Sequence, residues 1–500
     1  MDFRPDKAGF VAGYEAGENQ LLSAELVADM DTAVSLMLKL TGAEADSFLL
    51  ESVTGGEVRG RYSMLGCRPD LIWRCRGDRA EINRNAQTDR DAFQPDARPA
   101  LESLRALLAE SRIELGPHLP PMAAGLFGYL GYDMVRLVEE LPEPNPDPLD
   151  LPDAMLLRPS IVAIVDNIRD TVLLCAPAWV RPEMDAEAAW EDAAGRLEQA
   201  LSALDGAHPD APVRPLPSGD LVPITPVSNR PREEYLDVIS RARDHVRAGE
   251  VVQVVPSQRW SVELGTSPFA LYRALRRLNP SPYMFYFDMG AFQIVGASPE
   301  ILVRLRGDIV TIRPIAGTRR RGATPEEDAA LEAELLADPK ECAEHQMLLD
   351  LGLQDIGNVA DADTIRATEE FAVERYSHVM HIVSNLEGRL RADQDALSAL
   401  LAGLPAGTVS GAPRVRAMEI IDALEQEKRG VYAGGVGYFS AGGDMDTCIA
   451  LRTGVVKDGK LYIQAGGGIV ADSDPEAEFE ETVNKAKALV AAATMARNFG

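Results

Sequence analysis

The chain is poor in positive charge, histidine and cysteine, and each shortage closes off a class of function. Over 500 residues it carries 50 Lys and Arg against 78 Asp and Glu, a formal net charge of −28. Such a chain repels phosphodiester backbones and anionic headgroups, so neither nucleic acid nor a membrane is the expected main partner. It also repels an anionic substrate at long range, so any anion site must bring its own arginine, backbone amides or metal. The five cysteines (Cys67, Cys75, Cys175, Cys342, Cys448) are odd in number and form no CxxC pair, which fits packing residues in a reduced, cytoplasmic setting. No run approaches the ~20 apolar residues of a membrane-spanning helix, and MDFRPDKAGF lacks the apolar core of a signal peptide. There is no internal repeat, no dinucleotide-binding GxGxxG and no cysteine elbow flanked by glycines.

What is present is apolar material for a sizeable core: 46% of residues are hydrophobic. Two proline-rich stretches, over 141–153 and about 206–231, exclude regular helix and central strand and read as extended surface segments. Residues 160–176 read as a hairpin turning at Asp166-Asn167, and 183–204 as a helix. The segment 232–248 is amphipathic, with Tyr235, Val238, Ile239, Ala242 and Val246 on one face, Pro231 at its start and Gly249 past its end. Strand-like runs follow (VVQVVPS, FQIVGASPEILVRL, GGVGYFS, DTCIALRTGVV, KLYIQAGGGIV), with helices opening at Pro339 and Pro475. Strands and helices interleave without a βαβ rhythm, so the fold class is α+β. The expected division is an N-terminal region over 1–210, a proline-rich linker over 211–230 and a C-terminal region over 231–500.

Two helices carry carboxylates at one-face spacing. Asp338-Pro339-Lys340-Glu341 combines an N-cap, an N1 proline and an N3 acid, and Glu341, Glu344, His345 and Leu348 share the face that follows. Asp474-Pro475 opens the second helix, where Glu478, Glu481 and Lys485 share a face. Mg2+ takes one or two carboxylates together with waters and substrate oxygens, so two such helices could serve one ion. Read locally, they are solvated faces with i,i+4 pairs. His378 and His381, in RYSHVMHIVS, form either a metal pair or buried, satisfied imidazoles, in a run that is β-rich or briefly helical. The glycine clusters at 433–437 and 465–468 are bulges or turns, or places where amides approach a carboxylate closely. Arg452, inside the strand-like CIALRTG, must find an anion if buried, in the protein or in a ligand.

Many segments in order carry a resemblance. They include PPMAAGLFGYLGYDMVR (120–136), VVQVVPSQRW (251–260), NPSPYMFYF (279–287), GASPEILVR (296–304), RPIAGTRRRG (313–322) and DPKECAEHQMLLDL (338–351). RYSHVMHIVS (375–384), LPAGTVSGAPRVRAMEIID (404–422), RGVYAGGVGYFS (429–440), MDTCIALRT (445–453) and QAGGGIVADSDPEAEFEETVNKA (464–486) continue it. Together they resemble the chorismate-utilising enzymes, in particular the anthranilate synthase component I group, over nearly all of 120–500 and more thinly over 45–70. The resemblance implies large antiparallel-rich sheets packed face to face with helices outside. It also implies a Mg2+-dependent lyase acting on chorismate, with Glu344 and Glu481 as metal ligands supported by Glu341 and Glu478. Arg452, Tyr432, the Gly317-Thr318 backbone and the loop of Gly466, Gly467 and Gly468 are the implied contacts to substrate carboxylates. Glu300 is the implied general acid, His381 the base and Thr408 a holder of the enolpyruvyl group.

Two positions separate the subfamilies. Water-using relatives carry lysine where this chain has Gln253, and a glutamine activates no water. Aminodeoxychorismate synthase, the first rival reading, carries a nucleophilic lysine in PIKGT where this chain has Ala316. Both point to direct attack by ammonia and an ortho product, anthranilate, in tryptophan biosynthesis. The ammonia is expected from a separate glutamine amidotransferase subunit, hence a hetero-oligomer. Leu49-Leu50-Glu51-Ser52 and Pro282-Tyr283-Met284 resemble a tryptophan feedback site, with tryptophan as inhibitor; LLES alone reads as a strand edge. The family pattern DLARNDIGRV is altered here to carry Gly352, Leu353, Gln354 and Asn358, which leaves a second rival, a non-catalytic tryptophan-binding scaffold. Gly352 is expected to weaken the helix end by about 1 kcal/mol.

Overall fold

The computed structural model describes residues 2–42, 45–54, 58–206, 224–376 and 379–499, so most of the expected linker and His378 lie outside the described residues. Among the described residues 21 strands, from two to 19 residues long, join one antiparallel hydrogen-bonded network. Ser47–Thr54 (β1) pairs with Val58–Arg76 (β2). Gly125–Leu130 (β3) pairs with one end of Ala154–Asp166 (β4), Thr171–Ala178 (β5) pairs with the other, and β2 runs along β4. The expected hairpin is thus β4 and β5, with its turn over 167–170. The expected helices are Ala186–Asp205 (α1) and Arg232–Arg247 (α2).

The C-terminal region adds the helix Pro268–Leu278 (α3) and the strands Tyr283–Asp288 (β6), Gln293–Ser298 (β7), Ile301–Arg306 (β8) and Ile315–Arg320 (β9). Next come the helix Pro339–Gly357 (α4) and the strands Val379–Arg389 (β10), Gly435–Ser440 (β11), Met445–Ile449 (β12), Thr453–Lys457 (β13) and Lys460–Gly466 (β14). The helix Pro475–Ala496 (α5) ends the chain's regular structure. Both proline starts behave as expected: Asp338 accepts from the Lys340 and Glu341 amides, and Asp474 from that of Ala477. Among the described residues no helix is long and apolar enough to cross a membrane.

Two pairings cross between the sequence regions, β1 with β6 and β3 with β11. The regions therefore share one set of hydrogen bonds. Their inward faces meet in an aromatic core: Phe48 stacks on Phe127 with ring centroids 4.4 Å apart, and Phe127–Tyr438 and Phe48–Phe287 follow at 5.5 Å. On the outer face α1, α3 and α5 bury Leu197, Leu271 and Leu489 in a second core.

Several strand-like runs are interrupted, and the interruptions build the site. FQIVGASPEILVRL breaks at Pro299-Glu300, where proline has no N–H for the ladder. DTCIALRTGVV breaks between β12 and β13, and Arg452, expected inside a strand, sits in the gap with a left-handed φ of 47°. VVQVVPS contributes the two-residue strand Gln253–Val254 and, at Ser257, the first residue of the strand Ser257–Glu263. The run RYSHVMHIVS is strand from Val379 onward, not helix. Gly352 lies inside α4 rather than at its end, and a Cβ there would come within 2.8 Å of Leu386 Cδ1, so its smallness serves packing. Phe127→Ala removes the ring common to both inward faces and should lower unfolding stability by about 3–5 kcal/mol in a urea titration. A loss under about 1 kcal/mol would show that the two faces do not depend on this contact.

Candidate active site

A cavity of about 810 Å³ gathers side chains scattered along the polymer, among them Glu300, Glu344, His381, Thr408, Arg452 and Glu481. Glu300 occupies the β7–β8 break and is only 7% exposed. Burial pushes its carboxyl pKa up to about 8, against the opposing pull of the Thr408 hydroxyl, Arg452 and Lys485. Thr408 Oγ1 lies 3.3 Å from each carboxyl oxygen.

His381 stands on β10 opposite β9. That ladder slips between Ala316 and Thr318, and Gly317, at φ 68°, is the bulged residue. The bulge turns the Gly317 carbonyl to 2.9 Å from His381 Nδ1, with Thr318 Oγ1 at 3.1 Å. A carbonyl only accepts, so the network assigns the hydrogen to Nδ1 and leaves Nε2 with a free lone pair. Burial lowers the ring's pKa, so imidazole is the neutral-pH form. Tyr376 packs edge-on against the ring at 5.6 Å.

The carboxylates of α4 and α5 meet across the same cavity. Glu341, Glu344, Glu478 and Glu481 all line it. Burial raises the Glu344 pKa, and the Glu341 and Glu481 charges raise it further. Glu478 is likewise raised, by burial first and by Glu481, with Ser473 opposing. Lys485 partly offsets this crowding: it pairs with Glu481 at 2.7 Å and donates to the Gly466 carbonyl at 3.0 Å. Glu341 accepts from Arg319 at 3.1 Å. Such repelling oxygen donors fit a hard cation. Among the described residues no group of three or more His, Cys, Asp or Glu is arranged to hold a metal unaided, and Mg2+ by preference keeps waters and substrate oxygens. His345, grouped with these carboxylates from its spacing, turns the other way: it is fully buried, 2.7 Å from Ser384 and edge-on to Phe371.

The opposite wall is positive. The partly buried Arg452 guanidinium makes no hydrogen bond or ion pair with any described residue; burial pushes its pKa down, with Glu300 opposing. Gly466 leaves no room for a side chain, since a Cβ would lie 2.6 Å from the Pro256 carbonyl and 3.1 Å from Tyr432 Oη. Tyr432, Gly466 and Gly468 line the cavity; Gly467 does not, and faces Glu478 instead. Beneath them a buried pair stiffens the floor: Arg429 bonds Glu425 and the Val255 and Val409 carbonyls. Gln253, 4% exposed, also reaches the cavity. Sequence reading assigned no role to Lys485, Tyr376 or Arg429. Only the i,i+4 spacing of Lys485 from Glu481 was a signal, and it does not reveal the Gly466 contact.

The profile of the chorismate binding enzyme family matches residues 60–491. Anthranilate synthase component 1 from Cereibacter sphaeroides is 63% identical over 485 residues, 97% of this chain and 96% of the relative. That from Pseudomonas putida is 47% identical over 488 residues, 96% of each. The chain belongs to the chorismate binding enzymes, among the anthranilate synthase component 1 proteins. The solved component I from Streptococcus pneumoniae, 37% identical, superposes with a TM-score of 0.75 over 86% of this chain and 92% of that one. An Escherichia coli menaquinone-specific isochorismate synthase, 20% identical with a TM-score of 0.69 over 95% of each chain, shares the fold.

In this family member the LLES and PYM segments converge on a second cavity of about 760 Å³. Glu51, Ser52, Pro282, Tyr283 and Met284 line it. β1 is flanked on both sides, by β2 and β6, so LLES is no sheet edge. The Glu51 carboxylate is already committed, to Arg276 at 2.6 and 2.8 Å and Tyr272 Oη at 2.6 Å. Met284 is 1% exposed, while Tyr283 Oη donates to Asp446 at 3.1 Å. Pro299 and Ile315 line both cavities. The family departures Leu353 and Gln354 sit on the exposed face of α4 and Asn358 is its exposed C-cap, away from both. Nitrogen-15 spectra of histidine-labelled protein at pH 7 should show His381 protonated at Nδ1 and bare at Nε2, with a pKa below the usual imidazole range. The opposite tautomer would remove its candidacy as a base.

Proposed function

We propose that this chain converts chorismate and ammonia to anthranilate and pyruvate, with ammonia supplied by a separate glutaminase subunit and with tryptophan as feedback inhibitor. The reading is carried by one observation: a buried Glu300, its pKa pushed up to about 8, and a His381 whose pKa burial lowers share a cavity with Arg452, which has no hydrogen-bond or ion-pair partner among the described residues. Arg452, Tyr432 and the Gly317-Thr318 backbone hold the substrate carboxylates. Glu300 donates its proton to the departing ring hydroxyl while ammonia adds beside the ring carboxylate. Thr408 helps hold the enolpyruvyl group, and its hydroxyl, 3.3 Å from each Glu300 carboxyl oxygen, also steadies that carboxyl. Pyruvate is then eliminated, and His381 Nε2 takes the ring proton as the ring aromatises. Glu344 and Glu481 would hold Mg2+, with Glu341 and Glu478 supporting; a bound Mg2+ supplies Lewis acidity at the ring carboxylate. Ala316 offers no nucleophile and Gln253 no base for water, which favours ammonia and the ortho product over the para-amino alternative. Five free cysteines accord with a cytoplasmic enzyme.

Chorismate, Mg2+ and an ammonium salt should yield fluorescent anthranilate and pyruvate; a para-amino product or no turnover would overturn the reading. Because the acid form of a group with pKa about 8 is present below that pH and lost above it, kcat should fall on the alkaline side near pH 8. Glu300→Gln should cost roughly 10²–10⁴-fold in kcat and abolish that limb; a retained limb would exclude Glu300 as the acid. In calorimetry, Glu344→Gln or Glu481→Gln should remove measurable Mg2+ binding, and Glu341→Gln should weaken it roughly 10–100-fold. Unchanged Mg2+ affinity in all three would refute the metal assignment.

A further inference from the structure

Three arginines line the second cavity: Arg61, Arg304 and Arg313. Two are neutralised within the protein. Arg61 bonds Asp166 at 3.0 Å, and Arg313 pairs with Glu374 and, at 3.6 Å, with Glu369. Arg304 differs. It makes no hydrogen bond or ion pair with any described residue, and its Nε is buried without an acceptor. Its cross-strand neighbour is an acid: the β8–β12 register sets Arg304 opposite Asp446. That carboxylate is taken elsewhere, by Arg306 at 2.8 Å and Tyr283 Oη at 3.1 Å.

Arg304 is half-buried, and beyond the Coulombic attraction of Asp446 its guanidinium has no protein partner, although a chain with a 28-charge acidic excess could easily supply a second carboxylate. We propose that Arg304 is the anion anchor of this cavity and takes the carboxylate of the amino acid bound there. The proposal rests on the feedback reading above and names the group that reads the ligand's charge. Tyr283 and Ser52 line the same space, and Leu50, Phe285 and Val436 give it apolar walls. An α-carboxylate at Arg304 thus leaves an aromatic side chain facing apolar surface. Glu51, bound to Arg276 and Tyr272, is not free to be the main charge contact.

Calorimetry on the full chain with tryptophan and with tryptophanamide, which lacks the carboxylate, tests this. Wild type should prefer tryptophan by roughly tenfold or more, the scale of a charge-assisted hydrogen bond. Arg304→Gln should bring tryptophan down to the affinity of the amide while leaving amide binding and the uninhibited rate within about twofold, and Arg304→Lys should restore part of the preference. An Arg304→Gln protein that still prefers tryptophan overturns the proposal, as does loss of the preference in Arg61→Gln instead. Ser52→Arg should block both ligands. If wild type binds neither ligand and is not inhibited at millimolar tryptophan, the feedback reading itself falls and the anchor with it. If wild type binds tryptophan and only the charge preference survives Arg304→Gln, the anchor alone falls.

Discussion

Desolvation, acting with opposite sign on an acid and a base, is the constraint on which the candidate catalytic cavity depends. Removing water penalises the charged form of either group. Glu300 therefore keeps its proton, because Arg452 and Lys485 do not outweigh burial. His381, in the same environment, sheds its proton. One physical cause thus prepares a donor and an acceptor in a single cavity without either needing an unusual partner. The Gly317 carbonyl adds direction by holding the hydrogen on the ring nitrogen away from the one left free.

Charge is then distributed by exception. Most arginines of this acidic chain are spent on nearby carboxylates, as in Arg136 with Asp422 or Arg158 with Asp70. Arg452 and Arg304 are not, and each lines one of the two large cavities. The cavities meet at Pro299 and Ile315, and Pro299 adjoins Glu300. A ligand that shifts that wall in one cavity acts next to the Glu300 carboxyl of the other.

The sheet network makes such a wall possible. β1 and β3 of the N-terminal region pair with β6 and β11 of the C-terminal region, so the second cavity is walled by both. The candidate catalytic groups sit where strands stop: Glu300 at a proline break, Gly317 at a bulge, Arg452 in a left-handed gap. A continuous ladder would point alternate side chains up and down with no freedom to converge. The cost of φ 47° at Arg452 is the kind of local strain that the surrounding sheet must hold.

By itself the sequence determined what depends on neighbours a few residues away. The hairpin at Asp166-Asn167, the helix starts at Pro339 and Pro475, and the face shared by Glu478, Glu481 and Lys485 follow from period, proline and caps. Many motifs in order also specified the family. Tertiary structure decided which of these groups lose water and whom they meet. His345 shares a helical face with Glu344 by spacing yet is buried against Ser384. Glu51 lies beside Ser52 yet is claimed by Arg276, 225 residues away. The altered residues Leu353 and Gln354 proved to be solvent-facing. Periodicity places a side chain on a face of its own element; what that face packs against comes from partners hundreds of residues distant, and burial and pairing, which set charge and protonation, exist only once those partners arrive.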